Sequence, residues 1–242
     1  MASFTDASAP EPTRPFTRQA NITHRGGPAA GGRDSAPAGK AHTTEGHKRR
    51  ADIVASSAKL FDARGYADTS MEDIALAVGI AKPTIYHYFS SKSEILVEIH
   101  ETFINLLIER QEDKIRSGAQ PAELLRSAIG DILDLMDTHR AYVRVFFEHH
   151  RELPLDDRRE SRRKRDHYEW LVTSAISDGA RLGVFEVDDP RLAALAVFGV
   201  CNWAYQWWRT GRDGRSADEL ADFFFGILMN GIAARPGQRS AS

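Results

Sequence analysis

Cysteine is almost absent from this sequence, and long apolar runs are missing. The single cysteine among 242 residues, Cys201, excludes an intramolecular disulfide and favours a reducing compartment. No apolar run approaches the roughly 20 residues that a membrane-spanning helix needs. The N-terminus also lacks the charged-then-apolar order of a secretory signal. We therefore expect a cytoplasmic protein that has no membrane partner.

Signals for β-structure are scarce as well. No segment has the period-two alternation, the Asn-Gly turns or the regular strand spacing of a sheet protein, and no repeat of solenoid length occurs. From His47 onward, apolar residues recur at three- and four-residue intervals, which predicts an all-α fold. The predicted helices cover residues 47–65, 70–79, 81–89, 93–115, 122–136, 141–151, 155–181, 190–210 and 216–234.

The two chain ends differ from the helical part in composition. Residues 1–46 are rich in Ala, Gly, Pro, Ser and Thr and contain few sizeable apolar side chains. Such a segment cannot bury enough surface to offset the entropy of ordering, so we predict a disordered tail. We predict disorder for residues 237–242 as well.

Catalytic and metal-binding patterns are also lacking. The sequence has no Gly-rich phosphate loop, no Ser-His-Asp order and no carboxylate pair with supporting context. His149 and His150 are adjacent rather than spaced as His-Glu-x-x-His, so their side chains diverge on a helix. We expect no enzymatic activity, no cofactor and no metal site. A helical enzyme that uses His150 or Cys201 as its titrating group remains an alternative.

Charge is nearly balanced overall but unevenly distributed. The formal net charge is −2 and the isoelectric point is near 6.5, so no global basic excess indicates nucleic acid. Residues 1–92 carry a net charge of +3, whereas residues 93–242 carry −5. An acidic body with a mildly basic head suits a protein that contacts DNA through one small module.

The segment from Thr69 to Phe89 has the pattern of two short helices joined by a tight turn. Ser70 can cap the first helix, with Asp73 as the acidic member of a capping-box pair. Gly79 ends that helix because only glycine adopts the left-handed conformation without strain. Pro83 fits the start of a second helix, whose inward side is formed by Ile85, Tyr88 and Phe89.

This second helix must dock its apolar side on the preceding helices, which leaves a polar side exposed: Lys82, Thr84, Tyr86 and His87. An ordinary antiparallel helix pair with a tyrosine-rich cap has similar spacing. The exposed basic, hydroxylated and aromatic groups instead favour a helix that reads base edges and phosphate oxygens. Three basic residues near the first helix either meet the DNA backbone or form a solvated helix start: Lys48, Arg49 and Arg50.

A specific combination of residues extends over about fifty positions of the N-terminal half. Its members are Leu60-Phe61, Gly65-Tyr66, Thr69-Ser70, Asp73-Ile74-Ala75, Ala77-Val78-Gly79-Ile80, Thr84-Ile85-Tyr86-His87-Tyr88-Phe89, and Lys92 with Glu94. In this combination the chain resembles the TetR-type transcriptional regulators. The resemblance implies a helix-turn-helix DNA-binding head at 47–107, with the motif at about 70–89. It also implies a ligand-binding and dimerisation body at 108–236, joined to the head by a long helix.

The resemblance also implies roles for individual residues. Those that would face the major groove are Lys82, Pro83, Thr84 and His87. Those that would hold phosphates are Tyr86, Tyr88 and Lys92, together with Ser70 and the following amide at a helix N-terminus. Many relatives have a small hydroxylated residue and a glycine where this chain has Ala81 and Pro83. Pro83 has no backbone N–H, but its ring can lie against a thymine methyl group.

The most informative segment of the body is 198–209, which is rich in tryptophan and amides. On a helix, one face carries Gly199, Asn202, Trp203 and Gln206, and another carries Val197, Cys201, Ala204 and Trp208. We predict that the first face lines a ligand cavity, with walls from Phe146, Phe147 and His150, and that the other face meets a partner subunit. In the alternative interpretation, the tryptophans fill the core and the amides cap neighbouring backbone groups.

The segment that begins near residue 156 contains six basic residues interleaved with acids: Arg158, Arg159, Arg162, Arg163, Lys164 and Arg165. One interpretation is a solvated, salt-bridged helix start. The other is an anchor for a phosphorylated ligand, for which Arg162 is our candidate. The tryptophan-rich helix and the preceding Gly179-x-x-x-Gly183-x-Phe185 turn resemble actinobacterial TetR relatives that sense CoA thioesters of steroid or fatty-acid catabolism.

These observations lead to one functional hypothesis. We expect a homodimer, paired through its last two helices, that binds a pseudo-palindromic double-stranded DNA operator. A small apolar or acyl-CoA-like effector would release this repressor by favouring a conformer whose heads are spaced wrongly for DNA. Besides the enzyme, a non-DNA interaction scaffold is the other alternative; it would show no salt-dependent affinity for DNA.

Overall fold

The computed structural model describes the backbone of residues 38–209 and 214–230, and side chains from Glu45 onward. Over these residues the chain forms α-helices and one short 3-10 helix but no strand, which confirms the predicted all-α class. The α-helices are α1 (Ala38–Arg64), α2 (Met71–Val78), α3 (Lys82–Ile85), α4 (Lys92–Arg116), α5 (Pro121–Thr138), α6 (Arg140–Glu148), α7 (Leu155–Arg181), α8 (Pro190–Trp207) and α9 (Ala217–Asn230). The 3-10 helix, His150–Glu152, directly follows α6.

Several helix boundaries differ from those expected from the sequence, among them the end of α6, at Glu148 rather than at residue 151. Helix α1 begins at Ala38 rather than His47, so the disordered tail predicted for residues 1–46 extends too far at 38–46. The disorder predicted for 1–37 and 237–242 lies outside the described residues. Helix α3 ends at Ile85 rather than Phe89. Beyond it, the N–H groups of His87 and Tyr88 donate to carbonyls three residues back, at 3.1 and 3.0 Å. This tighter winding continues the turn and brings Phe89 into the core beside Ile85.

The first four helices enclose a core of their own, the head cluster, in which Ile53, Phe61, Ile74, Ile85, Phe89 and Ile95 are buried. Two further members come from outside these helices. Val145 on α6 and Leu153 after the 3-10 helix are both buried in the same cluster. The head is therefore packed directly onto α6 and the segment that follows it.

Helices α4 to α9 form the second core, the body cluster. Helix α4 belongs to both cores: its first half contributes Ile95 and Ile99 to the head cluster, and its second half contributes Phe103 and Leu107 to the body cluster. Charged pairs strengthen its contact with α5, since Arg110 lies 2.6 Å from Asp134. A single long helix thus connects the two cores.

The last turn of α7 needs a glycine at position 179. The ring of Phe185 folds back so closely that a Cβ added to Gly179 would lie 2.3 Å from it. The N–H groups of Val184 and Phe185 both donate to the Gly179 carbonyl, at 2.8 and 3.2 Å. Any side chain at Gly179 would therefore displace Phe185 from the body.

Candidate nucleic-acid interface and buried cavity

The start of α2 is held by the predicted capping box. The N–H of Asp73 donates to the Ser70 hydroxyl at 3.1 Å, and the N–H of Ser70 donates to the Asp73 carboxylate at 2.8 Å. The Ser70 hydroxyl also donates to this carboxylate, and its hydrogen bond together with that from the Ser70 N–H lowers the pKa of Asp73. Gly79 ends the helix with φ of 72°, in the left-handed region. The capping box and the glycine stop are confirmed.

The exposed side of α3 carries the side chains proposed from the sequence to read DNA. Ile85 and Phe89 are buried beneath the helix. Three of the candidate residues, Lys82, Pro83 and His87, are exposed, and Tyr86 is nearly half exposed. Thr84 and Tyr88 are partly buried, and Tyr88 packs against the head cluster. The helix thus presents a continuous polar patch on an apolar support, as the pattern indicated.

The ammonium group of Lys82 forms an ion pair with Glu72 on α2. Both side chains are more than half exposed, so solvent screens the pair and it contributes little to stability. The pair holds Lys82 across the turn between the two helices. A DNA contact of Lys82 stays a prediction.

Lys92, a candidate phosphate ligand, is already engaged within the head. Its Nζ donates to the carbonyls of Tyr66 and Thr69 at 2.6 and 2.8 Å. It also lies 4.3 Å from the centre of the Tyr66 ring. This ammonium therefore ties the start of α4 to the loop between α1 and α2, which the sequence analysis had not anticipated. A phosphate contact by Lys92 remains a prediction.

Arg50 has contacts within the head that neither of its two sequence interpretations included, and its contact with the DNA backbone stays a prediction. It donates from Nε to Glu98 on α4 at 2.7 Å, and its Nη1 donates to the Tyr88 carbonyl. The guanidinium lies 3.9 Å from the centre of the Phe89 ring. Arg50 thus clamps the segment after α3 to α1 and α4. Its partners lie nearly forty or more positions away, so no local sequence pattern identifies this contact.

The body contains a cavity of about 550 Å³ between α4, α5, α6, α7 and α8. Its interior is mostly apolar, with Phe103, Ile104, Leu107 and Ile132 among its walls. Its mouth carries the exposed charged side chains of Arg162, Arg165 and Asp166. A cavity of this size and character suits an apolar ligand that bears a charged group at one end.

Five of the eight candidate ligand residues line this cavity: Phe146, Phe147, His150, Arg162 and Asn202. The other three, Gly199, Trp203 and Gln206, are exposed on the far side of α8, so the prediction that they line the cavity is wrong. The reason is helical rotation. The face of Val197, Cys201, Ala204 and Trp208 is buried in the body cluster, so the prediction that it meets a partner subunit is also wrong. The cavity touches only the adjoining face formed by Leu195, Phe198 and Asn202.

The far side of α8 is unusually apolar for a solvent-facing surface. Trp203 is 65% exposed, and α8 and α9 together expose Leu192, Val200, Trp207, Phe223, Ile227 and Met229. An apolar patch of large side chains on neighbouring helices is typical of a protein–protein interface. Cys201 lies on the opposite, core side, where burial raises its pKa to about 12. This protonated thiol has the reverse of the properties that an activated nucleophile needs.

The basic start of α7 contains the salt bridges of one of the two interpretations considered from the sequence. The other interpretation, an anchor for a phosphorylated ligand, stays a prediction. Arg159 pairs with Asp156 at 3.3 Å and Arg163 with Glu160 at 3.1 Å, all on the exposed surface. Those pairs are a salt-bridged helix start. Arg162 and Arg165 instead lie at the cavity mouth, where only Arg162 has a described ion pair, to Asp166 at 3.9 Å.

Helix α6 and the 3-10 helix lie between the cavity and the head. Phe146, Phe147 and His150 face the cavity, whereas Val145 is buried in the head cluster. Arg144 lies 3.0 Å from Asp62 on α1. His149 faces away from His150, with its ring 6.4 Å from that of Tyr66. Helix α6 therefore contacts the cavity on one side and head residues on the other.

Two further properties concern the described part of the chain. Among residues 38–209 and 214–230, no helix is long and apolar enough to cross a membrane. In the same residues, no group of three or more His, Cys, Asp or Glu side chains is placed to hold a metal ion.

Comparison with known proteins agrees with this architecture. The family model described as "Bacterial regulatory proteins, tetR family" matches residues 53–99, and "Tetracyclin repressor-like, C-terminal domain" matches residues 118–232. Together they match more than half of the chain. The chain belongs to the TetR family. It is accordingly a DNA-binding transcriptional regulator with an N-terminal helix-turn-helix domain.

Individual relatives are similar at a lower level of identity. The HTH-type transcriptional repressor KstR2 of Mycobacterium tuberculosis is 26% identical over 190 residues, covering 77% of this chain and 94% of KstR2. The crystal structure of the regulator PfmR from Thermus thermophilus superposes with a TM-score of 0.70 at 29% identity, covering 75% of this chain and 99% of PfmR. AibR in complex with isovaleryl coenzyme A and operator DNA superposes with a TM-score of 0.65 at 28% identity, covering 75% of this chain and 98% of AibR.

Proposed function

We propose that this chain is a cytoplasmic, homodimeric repressor whose operator binding is relieved by an acyl-CoA-like effector. The observation that carries the proposal is the position of α6, which has one face on the ligand-sized cavity and the other in the head cluster. The proposed DNA-binding domain covers residues 47–107, and the proposed ligand-binding and dimerisation domain covers residues 108–236.

On DNA, the exposed side of α3 enters the major groove. Lys82, Pro83, Thr84 and His87 face the bases, and Tyr86 holds a phosphate. The N-terminus of α2, with Ser70 and the following amide, offers a second phosphate contact. Tyr88 and Lys92 lie behind this surface, so their phosphate contacts require some rearrangement of the head.

Two copies are needed because a helix as short as α3 buries little surface alone. The exposed apolar side of α8 and α9 supplies the subunit interface, with Trp203 and Phe223 among its largest side chains. Linking two heads raises the effective concentration of the second head at its half-site. A two-fold dimer then matches a pseudo-palindromic operator.

The effector enters with its apolar acyl part in the cavity and its CoA phosphates at the mouth. Arg162 and Arg165 are the groups at the mouth that can bind phosphate oxygens bidentately. Phe146, Phe147, His150 and Asn202 then border the acyl part. The AibR complex supports this class of ligand, because a relative of the same fold holds isovaleryl coenzyme A.

Release of the protein from its operator follows from the contacts of α6 with both the cavity and the head. An occupied cavity presses on Phe146 and Phe147, and α6 carries that displacement to the head through Val145 and the pair of Arg144 with Asp62. A ligand that fits the displaced arrangement better shifts the population toward it. In the dimer, the two heads then lose the spacing that the operator requires.

The DNA-binding face is tested by fluorescence anisotropy with a promoter fragment that the wild-type protein binds. We expect Lys82→Ala to weaken binding about tenfold, because one base or phosphate contact is worth roughly 1–3 kcal/mol. Tyr86→Phe should weaken it by a smaller factor. Arg181→Ala, which removes an exposed charge at the far end of α7, is the matched control and should bind normally. Normal affinity in both head variants would refute the assignment of α3.

A further inference from the structure

One amide side chain on the cavity wall has hydrogen-bonding groups that the described protein does not use. Asn202 on α8 lines the cavity together with Leu195 and Phe198, which precede it on the same face of the helix. It is half-buried, and its amide has no hydrogen-bond partner among the described residues. The amide nitrogen and oxygen are nevertheless accessible rather than enclosed by protein. A ligand that brings a hydrogen-bonding group to this wall can therefore pair with Asn202.

His150, in the 3-10 helix, offers a second group on the same wall. Its Nδ1 lies 3.2 Å from the carbonyl oxygen of Phe147. A carbonyl oxygen can only accept, so Nδ1 carries the proton and donates to it. In the neutral ring, Nε2 is then an acceptor, and it has no hydrogen-bond partner among the described residues. Because His150 lines the cavity, this acceptor is available to a bound molecule.

The register of α7 against α8 places Asn202 near the arginines proposed to bind phosphate. These helices pack together and are joined by the short segment 182–189, so they run antiparallel. The ring centres of Tyr168 and Phe198 lie 5.7 Å apart. Asn202 follows Phe198 by one turn, so it is level with the part of α7 one turn before Tyr168, where Arg162 and Arg165 lie.

The end of α6 reaches the same part of α8. The ring of Phe147 stacks on that of Tyr205, with centres 5.0 Å apart and an interplanar angle of 14°. Tyr205 follows Asn202 by one helical turn, and His150 follows Phe147 by about one turn. His150 and Asn202 therefore border the same end of the cavity, beside the arginines at its mouth.

We infer that this end of the cavity binds the amide that follows the thioester in a coenzyme A arm. Asn202 donates from its amide nitrogen to the carbonyl oxygen of that group, and Nε2 of His150 accepts from its N–H. The inference rests on the proposed function, because it assigns one part of the proposed effector to the same cavity. The acyl chain then lies against the apolar walls at Ile104, Leu107 and Ile132.

The order of groups along an acyl-CoA explains why an amide belongs at this place. A short link joins the thioester sulfur to the amide nitrogen, so the amide lies between the acyl chain and the phosphates. Asn202 and His150 lie in the same order, between the apolar walls and the arginines. An alkyl chain at this place would cover both polar side chains and give them no partner. A site with such groups discriminates strongly against a ligand that lacks the complementary group.

The test uses thioesters that lack the phosphates of coenzyme A. The N-acetylcysteamine thioester of hexanoic acid keeps the amide of the arm, whereas the S-pentyl thioester has the same length without an amide. Dissociation constants are measured by isothermal titration calorimetry with the full-length protein. We expect wild type to bind the first thioester about tenfold more tightly than the second. Asn202→Leu should bind the two equally, because leucine has nearly the shape of asparagine without its hydrogen-bonding groups.

Gln206→Leu is the matched control, because it replaces an amide by leucine on the exposed far side of α8. It should keep the wild-type preference. His150→Phe is a second test variant and should reduce the preference, since it removes the acceptor and keeps a ring. Thermal unfolding should verify that all three variants fold.

Two results would overturn the inference. One is equal binding of the two thioesters by wild type, and the other is an unchanged preference in both Asn202→Leu and His150→Phe. In either case, binding of hexanoyl-CoA by wild type would still support the proposed effector class. If wild type binds neither hexanoyl-CoA nor the two thioesters, the proposed effector class fails and the inference fails with it.

Discussion

Replacing Arg50 with alanine tests whether the DNA-binding helix depends on a clamp from α1. Arg50 donates to the Tyr88 carbonyl just beyond α3 and to Glu98 on α4, and its guanidinium lies over the Phe89 ring. The variant leaves the exposed side chains of α3 unchanged. It removes only the contacts that hold the segment after α3 in place.

The size of the effect follows from these contacts. Hydrogen bonds that involve a charged group contribute about 1.5–3 kcal/mol each, but the Arg50 side chain is 35% exposed and solvent weakens its ion pairs. We therefore expect Arg50→Ala to lower the free energy of unfolding by about 2 kcal/mol, which is less than the two hydrogen bonds and the contact with the Phe89 ring would contribute at full strength. For a domain of this size, that loss lowers Tm by roughly 4–8 °C.

Operator affinity measured against salt concentration separates the clamp from a phosphate contact. The clamp predicts weaker binding with an unchanged slope of log K against log salt, because Arg50 neutralises no phosphate. Lys48→Ala, at a neighbouring exposed position, should change Tm by less than about 2 °C. An unchanged Tm in Arg50→Ala would refute the reasoning. A slope reduced by about 0.9 would show that Arg50 contacts a phosphate instead.

Two further predictions concern the body. Burial lowers the pKa of His100 to about 3, and the nearby Arg165, His150 and His149 lower it further in the same direction. Below pH 6.5, the ordinary pKa of histidine, the unfolded state therefore binds a proton at His100 that the folded state does not. The free energy of unfolding should fall by up to about 1.4 kcal/mol for each pH unit below 6.5. In urea unfolding, His100→Leu should lose stability less steeply with falling pH than wild type does. Equal losses in the two proteins would contradict the lowered pKa of His100. Trp203→Glu should convert the dimer to monomers in sedimentation velocity, whereas an intact dimer would place the interface elsewhere.

Local signals predicted most of the fold, because they depend on residues close in the chain. The Ser70–Asp73 capping box and the Gly79 stop both occur as expected. Helix α7 has the predicted bounds, Leu155–Arg181. The buried side of α3 and the turn after it also follows from spacing, since Ile85 and Phe89 are buried and Tyr88 packs against the head cluster; Thr84, expected on the exposed side, is partly buried.

The cavity was harder to predict, because it depends on how each helix is rotated about its axis. Helix α8 has apolar side chains nearly all round, so its sequence does not distinguish the core, cavity and exposed faces. Trp203 and Gln206 were therefore assigned to the wrong face. The partners of Arg50 and Lys92 are likewise distant in sequence and are brought together only by folding.

The most direct test of the account adds acyl-CoA thioesters to the preformed complex of this protein with its operator. Fluorescence anisotropy of the labelled DNA reports release. We predict that at least one thioester releases the wild-type protein, and that Asn202→Trp, which fills the cavity, stays bound at the same concentrations. Release of both proteins at equal concentrations, or of neither by any thioester, would contradict the claim that this cavity controls the DNA-binding head.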